Sequence, residues 1–318
     1  MIDKSTVLDV RHLSISFTQY DKGMHQVKLT VIRDLNVTIR EGEMVAVVGS
    51  SGSGKSLLAH GILGILPYNA TISGDIFYMG ELLTPQRQSV LRGKEIALVP
   101  QSVSFLDPLM KVGAQLRKGS HLTADKEKSA KLLARYGLEK NTEELYPFEL
   151  SGGMARRILI ATALMENSKL VIADEPTPGL HVDAAKRVLS HFREIANDGA
   201  GVLLITHDLE LALEVADRVV VFYAGTTIED ALSSDFKEVS MLRHPYTRAL
   251  WHAMPEHGFH SIEGAQPYAG KIPSGCPFAP RCVLADDTCL SEIPWHPLRG
   301  GYVRCIRTDQ EGDMCKDA

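Results

Sequence analysis

The residues best suited to chemistry form a glycine-rich run, GSSGSGKS, at residues 49–56, with the spacing G-x-x-x-x-G-K-[ST]. The run follows the apolar residues 44–48 and precedes a helical pattern that starts near Leu57. Its backbone N–H groups can surround phosphate oxygens, Lys55 can reach the β- and γ-phosphates, and the Ser56 hydroxyl can ligate Mg²⁺. We therefore predict a nucleotide site formed by Gly49, Ser50, Ser51, Gly52, Ser53, Gly54, Lys55 and Ser56.

Two acidic residues, Asp174 and Glu175, directly follow the apolar residues 170–173. An acid at the carboxyl end of a buried strand can hold the magnesium shell in P-loop NTPases. The next acid is placed to accept a proton from an attacking water. We predict the first role for Asp174 and the second for Glu175.

Two further polar residues, Gln101 and His207, follow the predicted strands 96–99 and 202–206. Ligands bind at the carboxyl edge of an open α/β sheet, so both residues are candidates for contact with the nucleotide. The predicted catalytic residues are Glu175, His207 and Gln101, and the predicted magnesium ligands are Ser56, Gln101 and Asp174.

A second glycine loop, Ser151-Gly152-Gly153, precedes a helical run at residues 155–165. Serine and two glycines at a helix start form an anion site of N–H groups, a hydroxyl and a positive dipole end. One nucleotide cannot easily use both loops of the same chain. We therefore predict a head-to-tail pair in which each nucleotide lies between the Lys55 loop of one subunit and the Ser151 loop of the other.

Short apolar runs alternate with longer stretches of helical period, which is typical of a mostly parallel α/β sheet. The candidate strands are residues 44–48, 96–99, 170–173, 202–206 and 218–223, and helical spacing appears at residues 126–136 and 183–197. Residues from about 108 to 165 lack a strong strand signal, so a helical subdomain is expected there.

The composition changes toward the C-terminus. Residues 254–274 contain three prolines and three glycines, and four cysteines then occur within 30 positions from Cys276 onward. These features predict two parts: a nucleotide-binding domain over residues 1–253 and a small cysteine-rich extension over residues 254–318.

Charge and hydropathy exclude several classes of protein. The chain has 34 Lys and Arg against 39 Asp and Glu, a net charge of −5, so no global basic field favours nucleic acid. The apolar runs are much shorter than the roughly 20 residues of a membrane-spanning helix. The first ten residues lack a basic leader and an apolar signal core, so we expect the chain to remain in the cytosol.

Taken in order, GSSGSGKS, Gln101, LSGGM, VIADE and Thr206-His207-Asp208 resemble the motifs of the ATP-binding cassette (ABC) ATPases over nearly the whole chain. The sequence is most similar to the ATPase subunits of oligopeptide, dipeptide and nickel importers. That similarity rests on Met154, Tyr223-Ala224-Gly225, the run HPYTRAL at residues 244–250 and the run CPFAPRC at residues 276–282.

The resemblance implies a P-loop NTPase fold that hydrolyses ATP with Mg²⁺. It implies that Phe17 or Tyr20 stacks on adenine, with Phe17 favoured, although either ring could instead pack in the first β-layer. It also implies that Gln101 couples the γ-phosphate to a transmembrane partner, that Glu175 is the base and that His207 is the switch histidine.

The resemblance also implies partners. These are two transmembrane permease subunits, which residues 102–113 would face, and indirectly an extracellular substrate-binding protein; the chain would lie on the cytoplasmic face of the plasma membrane. His181 stands where the family usually has Asp, in a loop that crosses to the other subunit. We therefore hypothesise a heterodimer with a second, non-identical ATPase.

Cys276, Cys282, Cys289 and Cys305 are separated by five, six and fifteen residues, and Cys315 lies near the terminus. No C-x-x-C pair is present, which weakens a zinc-ribbon interpretation. Four thiolates in a loop-rich segment could ligate a [4Fe-4S] cluster, as the resemblance also implies, and zinc or unligated thiols remain alternatives.

Other functions are less consistent with the sequence. Soluble ABC proteins that act on DNA have long insertions between the two glycine loops, but only 96 positions separate residue 55 from residue 151, and ribosome-acting cassettes generally carry two motif sets. A P-loop kinase or GTPase has no use for LSGGM. The cargo is left open between peptides, which are favoured, and nickel or a metal chelate.

Overall fold

The computed structural model describes residues 6–20, 23–50, 52–166 and 168–308. Most strands of this part form one continuous sheet in the order β5-β4-β1-β2-β10-β9-β3-β8-β7-β6, to which a hairpin of β11 and β12 is joined through β10. The strands are β1 (Thr6–Tyr20), β2 (Gln26–Arg40), β3 (Met44–Val48), β4 (Ala70–Tyr78), β5 (Glu81–Leu82), β6 (Ile96–Val99), β7 (Leu170–Asp174), β8 (Gly201–Thr206), β9 (Arg218–Tyr223), β10 (Thr226–Leu232), β11 (His296–Leu298) and β12 (Gly301–Val303).

Five neighbouring strands, β6, β7, β8, β3 and β9, are parallel. Their residues are apolar on both faces because the sheet is covered on both sides. On β3, Ala46 and Val48 belong to one core and Val45 and Val47 to the other. The predicted strands 44–48, 96–99 and 218–223 are confirmed, and β7 and β8 are each one residue longer than predicted. The carboxyl ends of all five strands meet at one edge.

The sheet as a whole is mixed rather than mostly parallel. β1 pairs in antiparallel fashion with β2 and β4, and β10 with β9. This antiparallel arm of β1, β2 and β4 is not evident from the sequence, because β1 and β2 alternate buried and partly exposed positions and lack an uninterrupted apolar run. The pairing of β1 with β2 also shifts register between Val10 and Leu13, which breaks the two-residue period.

The helices are α1 (Lys55–Leu63), α2 (Pro85–Leu91), α3 (Val112–Leu116), α4 (Thr123–Arg135), α5 (Gly152–Ala163), α6 (Val182–Asn197), α7 (Leu209–Val215) and α8 (Pro245–His252). Residues 108–165, all of which are described, contain helices and turns and no strand. Within the described ranges, none of the helices is both long enough and apolar enough to cross a lipid bilayer.

The C-terminal residues pack against the rest of the protein. β12 pairs with β10, and Cys276, Phe278 and Cys289 belong to the same hydrophobic core as Met44 of β3. The fully buried Arg243 bonds the Leu298 and Arg299 carbonyls between β11 and β12, which fixes this hairpin to the body. The domain boundary near residue 254 stays a prediction.

Candidate functional site

The phosphate loop connects β3 to α1 at the carboxyl edge of the sheet. Gly49 is required by space, because a Cβ there would lie 2.1 Å from the carbonyl oxygen of Phe222. Gly54 is required by conformation, because its φ is +98°, which L side chains rarely adopt. Ser51, which was predicted to belong to the loop, lies outside the described residues.

The interior of the loop fits a phosphate group. The buried Lys55 donates from Nζ to the carbonyl oxygens of Gly49 and Ser50 at 2.8 and 3.0 Å. Burial lowers the pKa of Lys55, an effect that the nearby carboxylates of Glu175 and Asp174 oppose. The Ser53 hydroxyl is buried and has no hydrogen-bond partner, so an acceptor entering the loop would satisfy it.

A hydroxyl and a carboxylate meet beside this loop. Ser56 Oγ donates to Asp174 Oδ1 at 3.0 Å, and Asp174 is buried at the end of β7. Burial removes the Asp174 carboxylate from solvent and so raises its pKa. Oxygen donors of this kind suit Mg²⁺. Gln101, the third predicted ligand, follows β6 at the same edge and is exposed.

Glu175 and His207 form a direct pair. His207 Nδ1 lies 2.9 and 2.8 Å from the two carboxylate oxygens of Glu175. The Glu175 side chain is largely buried, whereas that of His207 is half exposed. Glu175 has a φ of +48°, an uncommon conformation for a non-glycine residue that costs about 1 kcal/mol or more and often marks functional sites.

The structure adds Arg156, which the motifs did not indicate. This buried side chain donates from Nη1 to the carbonyl oxygens of Pro100 and Gln101 at 2.9 and 2.5 Å, and from Nη2 to that of Glu175 at 2.8 Å. It therefore fixes the backbone at two predicted catalytic residues. An arginine on the apolar face of α5, beside Leu159, is the signal that could have identified it.

The second glycine loop begins α5. Ser151 is the N-cap residue, and its Oγ accepts a hydrogen bond from the backbone N–H of Met154 at 3.3 Å. Ser151 and Gly152 are exposed, and Gly153 is partly buried. The loop is thus available on the surface, as a site shared with a second subunit requires.

The two candidate adenine-stacking residues differ in their surroundings. Phe17 lies on β1 opposite Leu29, is partly buried and packs against the hydrophobic core that contains Val45 and Val47. Tyr20 is 68% exposed, and its hydroxyl accepts a hydrogen bond from Gln26 Nε2 at 3.0 Å.

Four cysteines, namely Cys276, Cys282, Cys289 and Cys305, line one small cavity together with His244. Burial raises the pKa of Cys276 to about 11 and that of Cys305 to about 12, so these groups are neutral thiols at pH 7 when no cation is bound. Among the described residues, no group of three or more His, Cys, Asp or Glu side chains is arranged to hold a metal ion. Cys315 lies outside those residues.

A strand–loop–helix phosphate site, two acids at the end of a parallel strand and a second glycine loop together define a P-loop nucleotide-binding protein of the cassette type. Residues 32–178 match the family described as "ABC transporter", and residues 237–289 match "Oligopeptide/dipeptide transporter, C-terminal region".

Individual proteins agree with these matches. The chain is 33% identical over 326 residues to the oligopeptide transport ATP-binding protein OppD of Salmonella typhimurium, covering 96% of this chain and 95% of that protein. It is 32% identical over 320 residues to the dipeptide transport ATP-binding protein DppD of Haemophilus influenzae, covering 94% of each. A solved ATP-binding subunit of an ABC transporter superposes with a TM-score of 0.58 at 27% identity, covering 73% of this chain and 92% of that one.

The chain belongs to the ABC ATPase family, in the branch that contains the oligopeptide and dipeptide transport ATP-binding proteins. A dimeric bacterial ABC transporter cassette shares the fold, with a TM-score of 0.62 at 23% identity over 71% of this chain and 98% of that one. The predicted ABC ATPase fold and the predicted ATPase activity are confirmed, whereas the small cysteine-rich extension stays a prediction.

Proposed function

We propose that this chain hydrolyses ATP to power an importer of oligopeptides or dipeptides. The observation that carries the proposal is that Lys55, the Ser56–Asp174 pair and the Glu175–His207 pair lie at one sheet edge, while the Ser151 loop is exposed. The peptide cargo is supported by the relatives and by the match of residues 237–289 to the C-terminal region of oligopeptide and dipeptide transporters.

In the proposed reaction, residues 49–56 hold the ATP phosphates, and Ser56, Asp174 and Gln101 hold Mg²⁺, which neutralises charge on the phosphates when it is bound. Glu175 accepts a proton from the attacking water, and its carboxylate is already oriented by His207. Phe17 supplies a ring for adenine.

The proposed assembly is a dimer of ATPase subunits in which Ser151, Gly152 and Gly153 of each contact the nucleotide on the other. His181 is exposed before α6, in the loop that would cross between subunits, and an imidazole in place of an acid favours a non-identical partner. The assembly would sit on the cytoplasmic face of the plasma membrane beneath two permease subunits, with an extracellular binding protein delivering cargo. Exposed apolar side chains after Gln101, among them Phe105 and Leu109, offer a surface for the permease.

The test of the chemistry is Glu175→Gln. Loss of the proton acceptor is expected to reduce ATP hydrolysis at least about 100-fold while ATP binding persists. Glu256→Gln, a change at a solvent-exposed glutamate, is the matched control and should hydrolyse at the normal rate. Full hydrolysis by Glu175→Gln would remove this residue from the mechanism.

The test of the cargo is uptake by proteoliposomes that contain the permeases, the binding protein and both ATPase subunits. ATP-dependent accumulation of a labelled tri- or tetrapeptide supports the proposal. Accumulation of nickel without peptide would instead assign metal as the cargo. Full activity with this chain as the sole ATPase subunit would exclude the heterodimer.

We also propose that the cysteine cavity is the site of a [4Fe-4S] cluster. A cubane takes one thiolate for each iron, so it does not require three ligands around a single ion, and four cysteines line this cavity. Anaerobically purified protein should then contain about four irons with visible sulfide-to-iron absorption. One zinc per chain, or no metal, would assign the cysteines to the alternatives.

A further inference from the structure

Residues 262–273, which precede the first cysteine of the chain, reach the phosphate loop, and we call this segment the C-terminal strap. It lies within the residues that match the C-terminal region of oligopeptide and dipeptide transporters. Gln266 of the strap is partly buried, and its side-chain oxygen accepts a hydrogen bond from the Ser50 hydroxyl. The proposed reaction gives Gln266 no role, although it contacts a residue of the predicted nucleotide site.

Ser50 connects the strap to the lysine of the phosphate loop. Its carbonyl oxygen accepts a hydrogen bond from Lys55 Nζ at 3.0 Å, while its hydroxyl donates to Gln266. The buried hydroxyl of Tyr246, in the first turn of α8, also faces Ser50. Burial raises the pKa of Tyr246 to about 12, and the side chain and backbone of Ser50 oppose this rise. Ser50 is therefore held by residues outside the loop as well as by Lys55 within it.

The strap is anchored at both ends. Arg281 donates from Nε to the Glu263 carbonyl at 2.6 Å and from Nη2 to the Ile262 carbonyl at 2.9 Å. At the other end, Arg33 of β2 donates from Nη1 to the Pro273 carbonyl at 3.1 Å. These anchors limit the movement of the middle of the strap, which is the part that contacts the phosphate loop.

The strap is also fixed relative to β9, the strand beside the phosphate loop. Arg281 Nη1 donates to Tyr223 Oη at 3.1 Å, and the Tyr223 ring packs against the Tyr246 ring with centroids 4.4 Å apart. Tyr223 is the last residue of β9 and follows Phe222, whose carbonyl oxygen lies against Gly49. The loop and the strap thus rest on the same strand end.

A phosphate loop binds more tightly when its N–H groups are already arranged for the ligand. Three of the eight residues at 49–56 are glycines, so ordering this backbone at the moment of binding costs conformational entropy. Contacts that order the loop beforehand lower that cost and strengthen binding. The strap contacts described above involve neither Glu175 nor His207, so they should affect the affinity for ATP and not the chemical step.

We propose that Gln266 is a positioning residue for the phosphate loop and that the C-terminal strap, acting through Ser50, increases the affinity of this subunit for ATP. The inference rests on the proposed nucleotide site and adds to it a residue that is 216 positions away from Ser50 in the sequence. It gives the C-terminal region of this branch a function in nucleotide binding.

The experiment combines calorimetric titration of the full chain with Mg²⁺ and AMP-PNP, an ATP analogue that is not hydrolysed, and steady-state ATP hydrolysis by the reconstituted transporter. Gln266→Leu removes the hydrogen-bond acceptor and roughly keeps the size of the side chain. The Kd for AMP-PNP and the KM for ATP should rise about three- to tenfold, as expected for one lost hydrogen bond, with kcat within about twofold of the wild type. Gln86→Leu, at an exposed glutamine of α2, is the matched control and should change none of these quantities.

A double-mutant cycle tests whether Gln266 acts through Ser50. Ser50→Ala should weaken AMP-PNP binding by a similar factor, and Gln266→Leu should add nothing in that background, because the partner hydroxyl is absent. Arg281→Met, which releases one end of the strap, should also weaken binding.

Unchanged affinity in Gln266→Leu or in Arg281→Met overturns the inference. It is also overturned if the effects of Ser50→Ala and Gln266→Leu multiply, or if kcat falls while KM stays the same. Failure of the wild-type chain to bind AMP-PNP would refute the proposed nucleotide site itself, and this inference with it.

Discussion

Arg156 should set the rate of hydrolysis without setting the affinity for ATP. Its guanidinium binds the carbonyl oxygens of Pro100, Gln101 and Glu175, two of which belong to proposed catalytic residues. It makes none of the contacts that shape the loop around Lys55, whose Nζ bonds lie within that loop. Removal of the Arg156 guanidinium should therefore displace Glu175, the proposed proton acceptor, and leave the phosphate loop around Lys55 unchanged.

The size of the effect can be worked out from these contacts. In Arg156→Met three charge-assisted hydrogen bonds are lost, each contributing about 1.5–3 kcal/mol, but water can reach the Gln101 carbonyl and offset part of that loss. We expect a fall of about 3 kcal/mol in the free energy of unfolding. A displacement of about 1 Å at Glu175 can cost 100-fold in rate, so kcat should fall about 10- to 100-fold.

The assay is steady-state ATP hydrolysis by the reconstituted transporter, with ATP affinity measured separately by equilibrium binding. Arg193→Met is the matched control, because Arg193 also bonds two backbone carbonyls, those of Gly42 and Val215, and forms an ion pair with Asp217. It should lower stability and leave kcat nearly unchanged. Arg156→Lys keeps the positive charge but lacks the planar guanidinium, so its kcat should lie between those of the wild type and Arg156→Met. A normal kcat in a destabilised Arg156→Met protein would refute the positioning role.

Three other changes have defined outcomes. Gly49→Ala should lower ATP affinity at least about tenfold in a nucleotide titration, because its Cβ would lie 2.1 Å from the Phe222 carbonyl oxygen. Unchanged affinity would mean that the backbone of β9 at Phe222 moves away to make room for the methyl group. Arg243→Met should cost about 3–5 kcal/mol in urea denaturation near pH 8, because Glu229 stays buried without its cation. Burial already raises the pKa of Glu229, so the folded variant binds a proton more tightly than the unfolded chain. Part of the lost free energy of unfolding should therefore be recovered near pH 5, and a loss that does not depend on pH would contradict this. Asp174→Asn should raise the melting temperature of the nucleotide-free protein, because burial disfavours the charged form of the carboxyl, and should abolish the effect of Mg²⁺ on ATP affinity; a retained Mg²⁺ effect would exclude Asp174 as a ligand.

The parts of the fold and site that could be predicted are those encoded by short, contiguous segments of the sequence. Residues 44–56 contain a buried strand, a phosphate loop and a helix start in one run, and the structure has them in that order. Gln101 and His207 could be placed at one edge because the ends of neighbouring parallel strands must meet. These inferences need only local pattern and sheet geometry.

The parts that could not be predicted depend on pairs of residues far apart in the chain. Ser50, for example, donates a hydrogen bond to Gln266, so the segment before the cysteines touches the phosphate loop across 216 positions. The contacts of Arg156 with the carbonyls of Gln101 and Glu175 are of the same kind, because backbone acceptors carry no side-chain signature. The β1–β2 arm was missed for a different reason, namely that register shifts disturb its alternation.

Helix α5 gives these separate features a common mechanical basis. It begins at the Ser151 loop, which in the proposed dimer contacts the nucleotide on the other subunit, and one turn later it presents Arg156 to the backbone of Glu175 and Gln101. A helix transmits displacement along its axis with little internal deformation, since every turn is hydrogen-bonded to the next. When α5 engages the neighbour's nucleotide, it would therefore shift Arg156, which positions Glu175 of its own subunit. Hydrolysis at one site would then depend on closure at the other, without requiring any contact between the two nucleotides.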